Sequence, residues 1–356
     1  AMGLFDGIYG EGKRGSAHVV SVELNVNVIL VVEIDEIDSL LEYLSRYTNN
    51  VKAVFVNKVP KGYDIDLLKK RIDKIGLKLL GYLFFDEHFH IESRHLGLSH
   101  PTDSIYKIVN KVSDEIFKSL SFYVLSDFMM DVNLFPDIKK TDIKKKKYRL
   151  AYAFDEAFSF SYNTNIDVLE EFGFEIIRFS PIHDSKLPEN ISVLWLSGGY
   201  PELYARKLSQ NTQMIKSIQS AKDSVIIAEC GGFIYLHDSF QDINKKEYPG
   251  VGLIKGSAFK TEKLVRFGYI DIKAQRDTVL LKQNQRIRSH EFHYYDSTNN
   301  GDSCHAVKAN KSREWDCIYS ENNIFAGFPH LYLRGYQFMI KNLIDFLEEM
   351  NGYKNV

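Results

Sequence analysis

Short apolar segments alternate with amphipathic segments along most of the chain, and this pattern sets the fold class. In the first part, residues 28–32, 53–56 and 79–83 are apolar runs as short as buried parallel strands. Residues 37–47 and 65–75 lie between them and carry apolar side chains at helical spacing. This alternation of strand and helix predicts an α/β fold with a parallel, doubly wound sheet.

The same pattern restarts after a polar stretch, which indicates two domains. A long amphipathic segment, 104–130, closes the first part, and residues 136–147, rich in Lys and Asp, are expected to form a solvated linker. Beyond the linker we predict strands at 148–154, 175–179, 193–196 and 225–228, helices at 166–172, 203–221 and 335–350, and an antiparallel region at 250–309. The predicted domains are therefore 1–135 and 148–356.

Composition excludes several classes of protein. A formal net charge of −2 gives no reason to expect nucleic acid as a partner. Three cysteines in 356 residues are too few for a disulfide scaffold and are not spaced as in a zinc knuckle. The most apolar run, 26–32, is too short to cross a bilayer. We therefore expect a cytoplasmic protein that binds neither nucleic acid nor membranes.

One cysteine, Cys230, stands between an apolar run and an amphipathic segment and is followed by two glycines. This order is typical of a nucleophile elbow, in which a tight turn lifts a reactive side chain clear of the sheet. Glycines tolerate the cramped backbone, and the N-terminus of the next helix favours a thiolate. A small buried cysteine with no chemical role is the alternative interpretation.

A thiol nucleophile also needs donors for an oxyanion and a base. The predicted strand 193–196 runs into the pair Gly198–Gly199, whose N–H groups either stabilise an oxyanion or belong to a simple turn. Spacing alone does not choose the base. The candidates are His183, His237, His290, His293, His305 and His330.

Five blocks in the second part resemble those of the cobyrinic acid a,c-diamide synthase family, in the family's order. They are 155–160 followed by Asn165, then 197–203, 229–232, 289–294 and 326–332. The resemblance implies a class I glutamine amidotransferase domain with a flavodoxin-like α/β fold.

The resemblance also implies roles for individual residues. Cys230 would release ammonia from glutamine, with His330 as its base. The oxyanion and glutamine site would be lined by Gly198, Gly199, Gly231 and His290. Related triad glutaminases place a glutamate two residues beyond the histidine, whereas this chain has Tyr332, which cannot carry a negative charge near neutral pH. We therefore expect a Cys–His dyad.

For the first part, the resemblance implies a portion of an ATP-dependent amidoligase domain, P-loop NTPase-like and specifically dethiobiotin-synthetase-like. Asp6 would act at the phosphorylation site through Mg²⁺ or the substrate carboxylate. Asn57 would read adenine, and Arg94 would pair with phosphate or with a carboxylate of a macrocycle. A turn aspartate, a strand-ending asparagine and an exposed arginine are the respective alternatives.

The phosphate-binding loop of such a domain, Gly-x-x-x-x-Gly-Lys-Ser/Thr, does not occur in the 356 residues. The expectation is an N-terminally truncated chain, or a partner that supplies the loop, either in a homodimer or as a separate chain. We accordingly expect little ATP-dependent synthesis from this chain alone.

Taken as a whole, the resemblance implies a carbon–nitrogen ligase that uses glutamine, ATP and Mg²⁺. Its substrate would be cobyrinic acid, amidated on the a- and c-acetate carboxylates in cobalamin biosynthesis. Relatives that act on Ni-sirohydrochlorin or hydrogenobyrinic acid remain open alternatives, as does a non-catalytic tetrapyrrole-binding relative.

Overall fold

The computed structural model describes residues 3–4, 7, 15–46, 50–91, 103–128 and 148–354. The chain divides into two compact units, 1–138 and 139–356. The predicted linker, 136–147, lies outside the described residues. Within the described parts, no helix has the length and apolar character needed to cross a membrane.

The first unit contains a parallel sheet of three strands in the order β1-β2-β3. Its strands are β1 (Val28–Glu33), β2 (Val51–Val59) and β3 (Lys78–Phe84), and its helices are α1 (Ala17–Glu23), α2 (Ile37–Arg46), α3 (Ile65–Lys74), α4 (Asp103–Ser119) and α5 (Phe122–Phe128). Leu68 and Ile72 of α3 are fully buried, and so are Val54 and Val56 of β2. The three strands predicted from the apolar runs are confirmed.

The amphipathic segment 104–130 contains two helices in its described part, and polar contacts to β3 explain the break between them. The Ser121 N–H donates to the Leu80 carbonyl over 2.7 Å, and the Ser119 hydroxyl accepts from the Tyr82 N–H over 3.0 Å. Ser121 then caps α5 by accepting from the Val124 N–H. These bonds to the strand replace the helical bonds that a continuous helix would make.

The second unit is built on a parallel sheet and two smaller sheets. Its strands are β4 (Tyr148–Ala153), β5 (Phe174–Phe179), β6 (Val193–Leu196), β7 (Val225–Glu229), β8 (His237–Gln241), β9 (Glu247–Pro249), β10 (Ile254–Lys260), β11 (Arg266–Ala274), β12 (Arg286–His293), β13 (Tyr295–Ser297), β14 (Cys304–Lys308), β15 (Glu314–Cys317) and β16 (Ile324–Gly327). Its helices are α6 (Asn163–Glu171), α7 (Ala205–Gln210), α8 (Thr212–Gln219), α9 (Gly231–Leu236) and α10 (Phe338–Lys354).

The central sheet has the order β16-β7-β6-β4-β5, with every neighbouring pair parallel. Counted along the chain, this is the order 2-1-3-4-5 of flavodoxin-like sheets. The other two sheets have the orders β13-β10-β8-β9 and β12-β11-β14-β15. The antiparallel region predicted over 250–309 is confirmed for the β11, β12 and β14 pairings, although β10 pairs with β8 in parallel.

A helix predicted over 203–221 is interrupted at Asn211. The Asn211 side chain accepts from the Met214 N–H and donates to the carbonyls of Pro181 and Asp184. A residue that caps one helix and ties it to a neighbouring loop gives the backbone an alternative to helical bonding, so α7 ends and α8 begins there.

The two faces of the central sheet are both buried, as a doubly wound sheet requires. Trp195 and Ile227 belong to the core that packs on α10, whereas Ile226 and Ala228 belong to the core that includes Phe233 of α9. Each large side chain buried in this way stabilises the fold by roughly 1.5–3 kcal/mol. The packed layers hold the carboxyl ends of β6, β7 and β16 in fixed relative positions.

Candidate active site

Cys230 lies on a strained turn between β7 and α9. Its backbone has φ 44° and ψ −99°, a conformation that non-glycine residues adopt only when their surroundings hold them there. The Cys230 N–H donates to the Gly327 carbonyl, and the Cys230 carbonyl accepts from the Ile234 N–H. The turn is therefore held from β16 on one side and from α9 on the other, which is the arrangement of a nucleophile elbow.

The two glycines after Cys230 are required by close packing. A Cβ on Gly231 would lie 2.9 Å from the Gly199 nitrogen, and a Cβ on Gly232 would lie 2.3 Å from the Leu196 carbonyl oxygen. No side chain fits at either position unless the backbone moves. The sequence feature that predicted the elbow thus has a steric cause.

The same packing brings the predicted oxyanion residues beside Cys230. Gly198 and Gly199 follow β6, and the loop is held because the Phe160 N–H donates to the Gly198 carbonyl and the Tyr200 N–H donates to the Ala157 carbonyl. Gly231 is the first residue of α9, so its N–H has no acceptor within the helix. The Gly199 and Gly231 backbones are therefore close enough to present their N–H groups to one oxyanion.

His330 is the histidine that the structure brings to Cys230. The ring is buried and lies close enough to the Cys230 side chain to be affected electrostatically by it, and the ring of Phe160 packs edge-on against it at a centroid distance of 4.8 Å. Burial by itself would lower the pKa of His330, but the hydrogen bonds and attraction of Cys230 and Glu229 raise it to about 10. The pair predicted from the sequence is thus in contact, with the imidazolium form favoured.

The remaining candidate histidines do not contact Cys230 through any bond among the described residues. Their side chains pair instead as follows: His183 with Glu156, His237 with Ser297, His293 with Glu291, and His305 with Asp316. His290 lies next to the site, because its carbonyl accepts from the His330 N–H over 3.0 Å. Burial, and then the charge of His330, lower the pKa of His290, which suits a neutral ring at the edge of the site.

Glu229 also contacts His330. It is a buried carboxylate to which the sequence analysis assigned no role. Its Oε2 is 3.5 Å from the His330 Nδ1 and accepts from the Leu331 N–H over 3.2 Å. Its Oε1 accepts from the Trp195 indole N–H over 3.0 Å. The signal was present in the sequence, since a glutamate in an otherwise apolar buried strand needs partners.

Tyr332, which stands where related glutaminases have a glutamate, points away from this contact. Its side chain is 44% exposed and packs on the ring of Tyr162 at 6.1 Å. The loop that carries His330 is fixed by Asn165, whose amide donates to the Leu331 carbonyl and accepts from the Leu333 N–H. This gives the asparagine of the first matching block a structural role in placing the histidine.

In the first unit, Asn57 lines a cavity of about 630 Å³ at the carboxyl ends of β2 and β3. Apolar side chains that form its walls include Phe84, Phe85, Phe89, Ile91, Val109 and Val112. The Asn57 Oδ1 accepts from the Lys58 N–H, so its amide N–H₂ remains a donor. Lys58, Asp86, Glu87 and His90 also line the cavity. Apolar walls with a few polar groups are typical of a site for a small molecule.

The other predicted residues of the first unit, Asp6 and Arg94, lie outside the described residues. In the parts of the chain that the structure describes, no three His, Cys, Asp or Glu side chains are grouped as ligands of a metal ion.

Comparison with known proteins places these features in a family. Residues 149–338 match the family model of the CobB/CobQ-like glutamine amidotransferase domain. A cobyrinate a,c-diamide synthase from Caldanaerobacter subterraneus subsp. tengcongensis is 33% identical over 357 residues, which cover 97% of this chain and 79% of that protein. The cobyrinate a,c-diamide synthase of Salmonella typhimurium is 33% identical over 355 residues, covering 93% of this chain and 76% of that protein.

Among solved structures, PurLQS from Thermotoga maritima gives a TM-score of 0.38 at 16% identity, over 56% of this chain and 99% of that chain, a likeness too distant to support an inference. The sequence relatives and the domain match are sufficient to assign the family. The chain belongs to the cobyrinate a,c-diamide synthase family and carries its CobB/CobQ-like glutamine amidotransferase domain.

Proposed function

We propose that this protein uses glutamine and ATP to amidate the a- and c-acetate carboxylates of cobyrinic acid in cobalamin biosynthesis. The relatives at 33% identity bear the name of that activity. The observation that carries the glutaminase half is the placement of Cys230, at a strained elbow, beside the buried His330, whose Nδ1 lies 3.5 Å from Glu229. That geometry supplies a nucleophile and a proton carrier in contact.

In the proposed reaction, the Cys230 thiolate attacks the side-chain amide carbon of glutamine. The carbonyl oxygen becomes an oxyanion that the N–H groups of Gly199 and Gly231 stabilise. His330 gives its proton to the departing nitrogen, the carbon–nitrogen bond breaks, and ammonia leaves a γ-glutamyl thioester. A water molecule then loses a proton to His330 and attacks the thioester, which releases glutamate and restores the thiolate.

The synthetase half is proposed for the first unit. A carboxylate is a poor electrophile, so its oxygen would first attack the γ-phosphate of ATP to give an acyl phosphate, from which ammonia displaces phosphate. The cavity beside Asn57 supports adenine binding, because it combines apolar walls with polar side chains that include an amide donor. On the family resemblance, we propose that Asp6 acts through Mg²⁺ or the substrate carboxylate and that Arg94 pairs with phosphate or with a carboxylate of the macrocycle.

The test is amidation from glutamine labelled with ¹⁵N in its side-chain amide, with ATP and cobyrinic acid, followed by mass spectrometry of the macrocycle. The protein is assayed together with a polypeptide that supplies the phosphate-binding loop, which does not occur in the 356 residues. The proposal predicts two ¹⁵N amides for the wild type. The Cys230→Ala variant should lose amidation from glutamine and keep amidation from added ammonia, because only the ammonia source is removed. Amidation of Ni-sirohydrochlorin or hydrogenobyrinic acid, with cobyrinic acid left unchanged, would reassign the substrate. Unlabelled macrocycle under all conditions would refute the proposal.

A further inference from the structure

We propose that Glu229 is the carboxylate that positions His330, so that the catalytic group is a triad whose acidic member precedes the nucleophile in sequence. This inference rests on the proposed glutaminase function of Cys230 and His330. It assigns to a strand residue the role that related glutaminases give to a glutamate beyond the histidine. Tyr332, the residue at that later position, is directed towards Tyr162.

The strand geometry explains how Glu229 reaches the histidine while its neighbour Cys230 serves as nucleophile. Alternate residues of a strand face the same side, so Glu229 shares a face with Val225 and Ile227, which belong to the core around Trp195. The chain then turns sharply at Cys230 and sends the thiol elsewhere. Two adjacent residues therefore approach the same imidazole from different directions.

The environment of Glu229 is built for an ionised acceptor. The side chain is only 8% exposed, and its two oxygens face three donors: the Trp195 indole N–H at 3.0 Å, the Leu331 N–H at 3.2 Å and the His330 Nδ1 at 3.5 Å. A buried carboxylate without such partners would cost several kcal/mol. A glutamine would place its own N–H₂ against one of these donors and leave that donor unpaired.

Among the described residues, no other anionic side chain competes for this role. The charged or titratable groups that face His330 are Glu229 from β7, Cys230 from the turn and His290 from β12. Of these, Cys230 is the reacting group, and His290 bears no negative charge. Glu229 also binds the backbone next to His330 through Leu331, so it fixes both the ring and the loop that carries it.

The consequence is a defined protonation pattern of the ring. A proton on Nδ1 directed at Glu229 leaves the second ring nitrogen to exchange a proton with Cys230. The negative charge of Glu229 also stabilises the imidazolium that forms when the thiol gives up its proton. Glu229 touches neither glutamine nor the reacting atoms in this scheme and is therefore a positioning residue.

The experiment compares Glu229→Gln with the wild type and with Tyr332→Phe as a control. We expect Glu229→Gln to lower kcat for glutamine hydrolysis by about 10²- to 10⁴-fold with little change in KM, as removal of the triad carboxylate does in serine proteases. Tyr332→Phe should behave as the wild type. A Glu229→Gln variant with wild-type kcat would overturn the proposal.

A second readout separates positioning from a merely structural role. Alkylation of Cys230 by iodoacetamide, followed as a function of pH by peptide mass spectrometry, reports the thiolate without requiring glutamine turnover. Loss of the Glu229 charge destabilises the imidazolium and should move the midpoint of alkylation to higher pH. An unchanged midpoint would overturn the proposal whatever happens to kcat. Because this readout needs no turnover, it is distinct from the test of the proposed function, in which Cys230→Ala must lose amidation from glutamine.

If Glu229→Gln does not fold, the wild type still decides the question. In protein labelled with ¹⁵N only in histidine, the NMR signals of His330, assigned by difference from His330→Gln, report which ring nitrogen carries the proton. We expect both ring nitrogens of His330 to be protonated at neutral pH, and Nδ1 to keep its proton when the ring loses the other one near pH 10. An unprotonated Nδ1 would overturn the proposal.

Discussion

Gly198→Ala is expected to disable the site by displacing the His330 ring. The φ of Gly198 lies outside the left-handed region, so alanine can adopt the backbone there. Its Cβ, however, would lie 2.7 Å from the Cε1 of His330, whereas carbon atoms pack best at about 3.5–4.0 Å. The ring must therefore retreat by about 1 Å, and Phe160, at a centroid distance of 4.8 Å, restricts where it can go.

A displacement of about 1 Å in a catalytic group costs on the order of 10²-fold in rate, which equals about 3 kcal/mol of transition-state stabilisation. The assay is glutamate release from glutamine, with kcat and KM measured separately and the melting temperature recorded. Gly352→Ala is the matched control, because a Cβ at that helical position meets nothing within 4 Å. We expect a loss of kcat only in Gly198→Ala. Wild-type kcat in that variant would refute the claim that the glycine makes room for the imidazole.

Three further predictions concern charge and binding. Burial raises the pKa of Glu202 to about 7 from its usual 4.5, so the stability that the protonated side chain contributes is complete below pH 4.5 and lost as the pH rises through 7. Glu202→Gln should therefore be the more stable protein at pH 8, by up to about 3 kcal/mol in the free energy of unfolding. An equal dependence of both proteins on pH would contradict this. Because the pKa of His330 is raised to about 10, kcat for glutamine hydrolysis should stay level through neutral pH and fall near pH 10, whereas a fall centred at 6.5 would show an unpaired histidine. Asn57→Ala should weaken ADP binding by about tenfold in isothermal titration through the loss of one hydrogen bond, and an unchanged Kd would exclude the amide from the nucleotide site.

Much of the fold could be predicted because local pattern and tertiary structure agree. The runs 53–56 of β2 and 225–228 of β7 are wholly buried, so they are continuous apolar segments, as strands of a parallel sheet covered on both faces require. The helix predicted over 203–221 and the amphipathic segment 104–130 are both interrupted for one physical reason. Ser119, Ser121 and Asn211 hydrogen-bond to backbone groups distant in sequence, and no local periodicity reveals such partners.

The residues of the site also differ in whether a local sequence pattern reveals them. Cys230 was found because an elbow imposes glycines at fixed positions next to it, which leaves a mark in the sequence. His330 could be chosen among six histidines only through the family resemblance, since its contact with Cys230 spans two strands of the sheet. Glu229 was missed because its partners, Trp195 and His330, meet it only once β6, β7 and the loop after β16 are assembled.

The most direct test of the account is to trap the covalent intermediate. The protein is mixed with radiolabelled glutamine, quenched in acid within a turnover and digested, and the labelled peptide is identified by mass spectrometry. The account predicts a γ-glutamyl thioester on the peptide that contains Cys230, and no label in Cys230→Ser. Label on Cys304 or Cys317, or glutamine hydrolysis that persists in Cys230→Ser, would contradict it.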